Sequence, residues 1–153
     1  MKRSILQTIL CCFFALSLSV ISCSPLRARN TATESVEEFR LAWRRTNYKD
    51  IYTRADQAFK ERVTEREFVV FGQSTREKLG DLRSSKLVED HVNFTATGTF
   101  VVLVYDTEYA NGNASEQFAW RINGNQSLLY NYTLNFQIPH DQGSINSIDP
   151  SVR

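Results

Sequence analysis

The chain has 153 residues, with 18 Lys and Arg against 17 Asp and Glu, for a formal net charge of +1. That length favours one domain over two, and a near-neutral balance gives no reason to expect nucleic acid as a partner. Ten Phe, six Tyr and two Trp supply large buried area per residue for a single core.

Met1-Lys2-Arg3 is a short basic start, and Ile5 to Ile21 is apolar and uncharged. This is the layout of a secretory signal, expected over residues 1–22. The apolar run is at the short end for a bilayer span, which takes roughly 20 residues; a membrane-spanning anchor stays as the alternative. Val20-Ile21-Ser22-Cys23 resembles the bacterial lipobox. The resemblance implies diacylglyceryl transfer to the Cys23 thiol, cleavage before it and acylation of the new amino terminus. One acyl chain anchors a protein only marginally, whereas two or more hold it firmly. An ordinary signal that happens to precede Cys23 is the other reading. Ser24, rather than Asp, follows the Cys, which resembles the outer-membrane sorting pattern of Gram-negative lipoproteins. The expected place is therefore the bacterial envelope, at the periplasmic face of the outer membrane, with the membrane as partner through Cys23.

Loss of the leader leaves 16 basic and 17 acidic residues, a net of about −1. Cys11 and Cys12 go with it. With Cys23 lipidated, the mature domain has neither a disulfide nor a soft metal ligand and must hold itself together by its core. Residues 23–32, with Pro25, Arg27, Arg29 and Asn30, read as a lipid-anchored tether.

The globular part is expected over 33–137. Val36, Phe39 and Trp43 lie on one helical face, giving a first helix from about Thr33 to Asn47. Asp50, Ile51, Tyr52, Ala55, Ala58 and Phe59 make a second helical stripe ending near Val63. Thr64-Glu65-Arg66-Glu67 is a capping box. It opens a third helix that runs to Leu79 and stops at Gly80. Gly72 inside it costs about 1 kcal/mol relative to Ala. The aromatic stripes on these helices read as the face that packs on a sheet.

Leu82 to Phe94 suggests an extended strand broken near Ser84-Ser85. Phe100 to Tyr105 is apolar on both faces, the mark of a central strand or of one covered by a partner. Phe118, Trp120 and Ile122 alternate with polar or small residues. Leu128, Tyr130, Tyr132, Leu134 and Phe136 do the same. Asn-Gly pairs at 111–112 and 123–124 signal hairpins. Three helices followed by a four-stranded antiparallel meander make an α+β fold. Residues 138–153, with Pro139, Gly143 and Pro150, read as a flexible polar tail.

Arg76-Glu77-Lys78-Leu79-Gly80-Asp81-Leu82-Arg83-Ser84, the run Gly98 to Asn111, and Ser115-Glu116 resemble stretches of an uncharacterised bacterial family, domain of unknown function 4019. In the final strand Leu128-Leu129-Tyr130-Asn131-Tyr132 stands where that family usually has a Trp and a Gly-Tyr. The resemblance covers about Ala32 to Phe136. It implies an exported envelope protein with a cone similar to nuclear transport factor 2 or cystatin, its helices lying in the concave side of a curved sheet. It brings no reaction and no catalytic residues.

Candidate chemistry is sparse. Asp106, Glu108 and Glu116 are the carboxylates of the central meander. Asp106 and Glu108, two apart, project from one face. In a pocket, desolvation would make either a general base for a small hydrolase or isomerase. At a wet strand end they would pair with Arg121 or its neighbours instead. His91 and His140 are not spaced as metal ligands, the six Gly are scattered, and no metal or other cofactor is expected. Sequons at Asn93, Asn113, Asn125 and Asn131 matter only for a eukaryotic secreted protein. The function expected is a non-enzymatic binding or interaction module of unknown ligand, with a homodimer through the apolar sheet face among its forms.

Overall fold

The computed structural model describes residues 24–124 and 126–137. The leader expected over 1–22, Cys23, His140 and the tail at 138–153 lie outside the described residues. In chain order come α1 (Pro25–Arg44), α2 (Tyr48–Thr53), α3 (Gln57–Arg62), α4 (Glu65–Leu79), β1 (Leu82–Thr95), β2 (Gly98–Tyr109), β3 (Gly112–Asn123) and β4 (Gln126–Gln137). The four strands form one open antiparallel sheet in the order β1-β2-β3-β4, each hydrogen-bonded to the next. The α+β expectation holds at that level.

Pro25 opens α1, where its fixed φ suits the first turn. Ala28, Ala32, Val36, Phe39 and Trp43 then fall on one face and are all buried. The tether expected over 23–32 is therefore helical from Pro25, because its two alanines continue the apolar stripe of the helix. Small side chains at 28 and 32 let α1 lie close on the sheet, and it touches all four strands. The helix ends at Arg44, three residues before the expected Asn47. Thr46 takes a left-handed φ of 58°. Its N–H donates to the Trp43 carbonyl at 3.0 Å, and that of Asn47 to the Ala42 carbonyl at 2.9 Å. These are the two bonds of a Schellman stop, a place usually given to Gly.

The second expected helix is two short ones. Asp56 breaks the stripe. Its carboxylate caps α3 by accepting the Ala58 N–H at 2.8 Å, and its own N–H donates to the Leu129 carbonyl of β4 at 3.0 Å. The chain thus turns at Asp56 to tie the helices to the last strand. The capping box opening α4 is present, with Thr64 and Glu67 bonding reciprocally. Gly72 gives way to the Tyr48 ring: a Cβ there would lie 2.6 Å from Tyr48 Cδ1. At the end of α4, Gly80 has φ 74°. The next link is fastened by the β2–β3 loop, whose Ala110 and Asn111 N–H groups donate to the Asp81 and Leu79 carbonyls, each at 2.9 Å.

β1 is continuous through Ser84-Ser85, with register shifts between Leu82 and Ser84 and between Leu87 and Glu89. β2 is an inner strand. Val101, Leu103, Tyr105, Thr107 and Tyr109 face the helices and are buried, while Phe100, Val102 and Val104 on the outer face stay half-exposed. The two-residue turn after β2 is Ala110-Asn111, one residue ahead of the Asn-Gly pair. A shift at Ala119/Trp120 leaves Tyr130 unpaired in β4. The alternation expected from Leu128 to Phe136 is therefore interrupted. Leu129 turns inward and is buried, and Tyr130 stacks edge-on against Phe100 on the outer face, centroids 5.0 Å apart.

Between α1, α4 and the sheet sits an aromatic core. Phe39 lies 5.0 Å from Phe118 and 4.9 Å from Tyr132 by ring centroids, edge-to-face or tilted. Trp43 meets Tyr48 at 5.0 Å, and Phe59 meets Phe68 at 5.5 Å. Such pairs contribute about 0.5–1.5 kcal/mol each beyond their area burial.

Candidate functional site

Two features stand out on the helix side of the sheet: a buried ionic centre and an apolar cleft beside it. The centre is built on β3. Inward parity through Ala114, Phe118, Trp120 and Ile122 also carries Glu116 inward, where it is 1% exposed. Its Oε2 accepts from Arg40 Nη2 at 3.1 Å and Thr107 Oγ1 at 2.6 Å. Its Oε1 accepts from the Tyr109 hydroxyl at 3.0 Å and the Tyr132 hydroxyl at 2.6 Å. Four donors fill the four acceptor positions a carboxylate offers. Arg40 comes from the buried face of α1 and is 4% exposed. Its guanidinium lies over the Tyr105 ring, 4.3 Å from the centroid. It also donates through Nη1 to Ser85 Oγ of β1 and approaches Glu37 at 3.8 Å.

The centre joins α1 to all four strands, through Arg40, Ser85, Thr107 and Tyr109, Glu116, and Tyr132. Its phenols carry the electrostatic cost. Burial, followed by the Glu116 charge, pushes both the Tyr109 and the Tyr132 hydroxyl far above the ordinary phenol range. Glu116 has neither solvent access nor an empty acceptor position for a substrate proton. The arrangement is a structural clamp.

The cleft opens between α1, α2 and the β3–β4 hairpin, with a volume of about 290 Å³. Phe39, Ile51, Trp120, Leu128 and Leu129 make its apolar walls. Two of its lining residues carry buried polar atoms without a partner, Trp120 Nε1 and Ser127 Oγ. Nearly all buried polar groups in folded proteins are hydrogen-bonded, and an orphan costs about 1–3 kcal/mol. At the rim, Arg54 is held by Asp50 at 2.7 Å and Glu38 at 3.6 Å. A wider hollow of about 550 Å³ lies between Tyr48 and Arg76. Its cations are also engaged, Lys49 with Glu65 at 3.5 Å and Arg76 with Asp81 at 2.6 Å.

Asp106 and Glu108, expected as pocket acids, stand exposed on the outer face. Inward-facing Thr107 fixes that parity. Glu108 accepts from Ser84 Oγ at 3.1 Å. Neither acid pairs with Arg121, which instead makes a two-pronged contact with the fully buried Asp56, through Nε at 2.6 Å and through Nη2. That bond raises the Arg121 pKa further. Two guanidinium groups approach the Tyr130 ring, that of Arg62 at 4.8 Å from its centroid and that of Arg121 at 5.9 Å. His91 is exposed on β1 and bonds to Glu89 at 2.6 Å. Among the described residues no group of three or more His, Cys, Asp or Glu is placed to hold a metal ion, and no helix is long and apolar enough to cross a membrane.

Sequence reasoning passed over Arg40, Glu116, Trp120 and Ser127 as site residues. For Glu116 and Arg40 a signal existed: each falls on the apolar face of its own element, four residues from Trp120 and from Val36 respectively. For the unpartnered atoms of Trp120 and Ser127 there was none.

A family model described as Protein of unknown function (DUF4019) matches residues 38–127, from the middle of α1 to the start of β4. No curated protein matches the chain.

Proposed function

The chain belongs to the DUF4019 family over residues 38–127, and from that premise we propose that it is a non-enzymatic binding module of the bacterial envelope, anchored by lipid on Cys23 at the periplasmic face of the outer membrane. Its helices and sheet make a cystatin-like cone, and its ligand enters the cleft against Trp120. One observation carries the reading: an apolar cleft of about 290 Å³, walled by Phe39, Ile51, Trp120, Leu128 and Leu129, stands open between α1, α2 and the β3–β4 hairpin. Ligand sites are commonly such hollows, mostly apolar with a few placed polar groups. The enzymatic alternative finds less support, since Asp106 and Glu108 face away from the cleft and Glu38 at its rim is tied to Arg54.

The anchor is tested by metabolic labelling with a palmitate analogue in a Gram-negative host. The wild-type chain takes up label and Cys23→Ala does not; equal labelling of both contradicts the anchor. The same proposal includes a homodimer through the outer sheet face, where Val102 and Val104 stay half-exposed. Light scattering on residues 24–153 then gives twice the chain mass, and a monomer mass removes the dimer.

A further inference from the structure

Resting on the reading of Cys23 as the lipidated residue, we propose that one end of the domain docks on the phospholipid surface. That end carries the first turn of α1 and the β1–β2 hairpin, and it inserts Leu26 and Phe94 among the headgroups. A slack tether after the anchor would leave the orientation open, but a single residue, Ser24, separates Cys23 from α1. The Ala28 N–H donates to the Ser24 carbonyl at 3.2 Å, so Ser24 already belongs to the helix. Consecutive Cα atoms stand 3.80 Å apart, which keeps the start of α1 within about 8 Å of the acylated residue. The helix is also fixed to the sheet. Ala28 and Ala32 are 3% and 0% exposed, and Arg29 pairs with Asp90 of β1 at 3.0 Å. The anchor therefore pulls the whole domain, not a swinging arm, against the lipid.

The sheet identifies which end meets it. From Arg29 to Arg40, α1 passes from Asp90 to Ser85, so it runs back along β1. Its first turn points toward the end of β1 at Thr95, where the β1–β2 hairpin lies. Phe94 pairs with Thr99, which is buried, and this puts Phe94 on the helix face. Phe94 lies past Asp90 by roughly 13 Å of strand, whereas α1 extends back from Arg29 by only about 6 Å along its axis. The helix stops short of Phe94 and leaves it 55% exposed; Leu26, in the first turn, is 63% exposed. Two large apolar side chains thus face outward at the one end that covalent bonding holds at the membrane. Exposed apolar groups mark protein or membrane contacts, and interfacial binding strengthens with the apolar area buried.

The full chain, processed and lipidated in a Gram-negative host, tests this in vesicles of equal parts phosphatidylglycerol and phosphatidylcholine. A trace of lipid carries a nitroxide on its headgroup. Cys11 and Cys12 leave with the leader and lipid occupies the Cys23 thiol, so one introduced cysteine is the sole site for a fluorophore. Ala96→Cys places it on the β1–β2 hairpin and Glu77→Cys near the end of α4, both at exposed positions. The two ends of β1 are roughly 40 Å apart, and α4 leads into the far one. Flotation with the vesicles reads the anchor, and quenching reads the docking. The Ala96 probe is expected to be quenched severalfold more than the Glu77 probe. Leu26→Gln combined with Phe94→Gln removes most of that difference while the protein still floats, and Leu26→Ile with Phe94→Trp keeps it.

Equal quenching at the two positions, or stronger quenching at Glu77, in protein that floats overturns the docking and leaves the anchor standing. A Gln pair that keeps the wild-type difference overturns the role of the two side chains, again without touching the anchor. Protein that does not float overturns the anchor and the docking with it.

Discussion

If the Glu116 centre is the clamp that joins helix to sheet, removing one side of it must destabilise the protein far more than removing both. Glu116→Gln keeps the shape and leaves an oxygen for Arg40 and Thr107. Its amide can be accepted by the rotating hydroxyls of Tyr109 and Tyr132. The loss is then almost wholly the compensation of a guanidinium that is 4% exposed. Breaking a buried ion pair from one side costs about 3–5 kcal/mol, because the survivor stays uncompensated. Arg40→Met, which keeps the volume over Tyr105, strands the carboxylate in the same way, although three hydroxyls still donate to it. A cost near the lower end, about 3 kcal/mol, is expected there.

Together the two changes replace a buried pair by neutral groups, an exchange that is often close to neutral. The double variant should therefore be at least about 2 kcal/mol more stable than the sum of the singles predicts, within the range found for directly contacting residues. The assay is urea unfolding of residues 24–153, wild type and three variants, followed by far-UV circular dichroism. With a urea slope of about 1–3 kcal/mol per molar, each single variant lowers the midpoint by roughly 1–5 M. Singles costing under about 1 kcal/mol, or a cycle additive within about 0.5 kcal/mol, would refute the clamp.

Alkaline pH should test the same centre from its phenols. Burial and Glu116 raise the Tyr109 and Tyr132 values above those of the unfolded chain. The stability they contribute is fully present below about pH 10 and falls as pH rises beyond it, by up to about 1.4 kcal/mol per pH unit for each phenol. Between pH 10 and 11, Tyr109→Phe should lose less stability than wild type; parallel loss would show that Tyr109 ionises as freely folded as unfolded. Gly72→Ala gains about 1 kcal/mol of helix propensity, yet its Cβ would meet the Tyr48 ring at 2.6 Å, so a net destabilisation of about 1–3 kcal/mol is expected by thermal melting, and a stabilised variant would contradict the packing. Thr46→Gly relieves a left-handed residue that L side chains hold at a cost of about 1–2 kcal/mol, and should raise the melting temperature; a lower one would mean that the Thr46 side chain contributes more than its backbone costs.

Local signals were legible. The Thr64–Glu67 box and the Gly80 stop need only their own neighbours, and both stand where the residue pattern puts them. Strand alternation likewise placed Phe118, Trp120 and Ile122 inside. What escaped depends on partners distant in sequence. The stripe from Asp50 to Phe59 has unbroken helical spacing, and nothing in it announces that the Asp56 N–H reaches Leu129 or that its carboxylate takes Arg121. Tyr130 continues a clean alternation until an extra residue in β4 turns it outward. Glu116 was readable by extending the parity of β3 two residues back, but charge argued for the surface, and only the four donors around it show why it is inside. The apolar run of β2 was read as covered on both faces. The strand is inner, yet its second face is only half-covered, by neighbours such as Tyr130 rather than by a second layer.

The most direct test of the binding reading is a crystal of residues 24–153 soaked in ethylbenzene, a small apolar probe that suits walls of Phe39, Ile51, Trp120, Leu128 and Leu129. The account predicts density for one molecule between Phe39, Ile51 and Trp120. A vacant cleft after a saturating soak would contradict it.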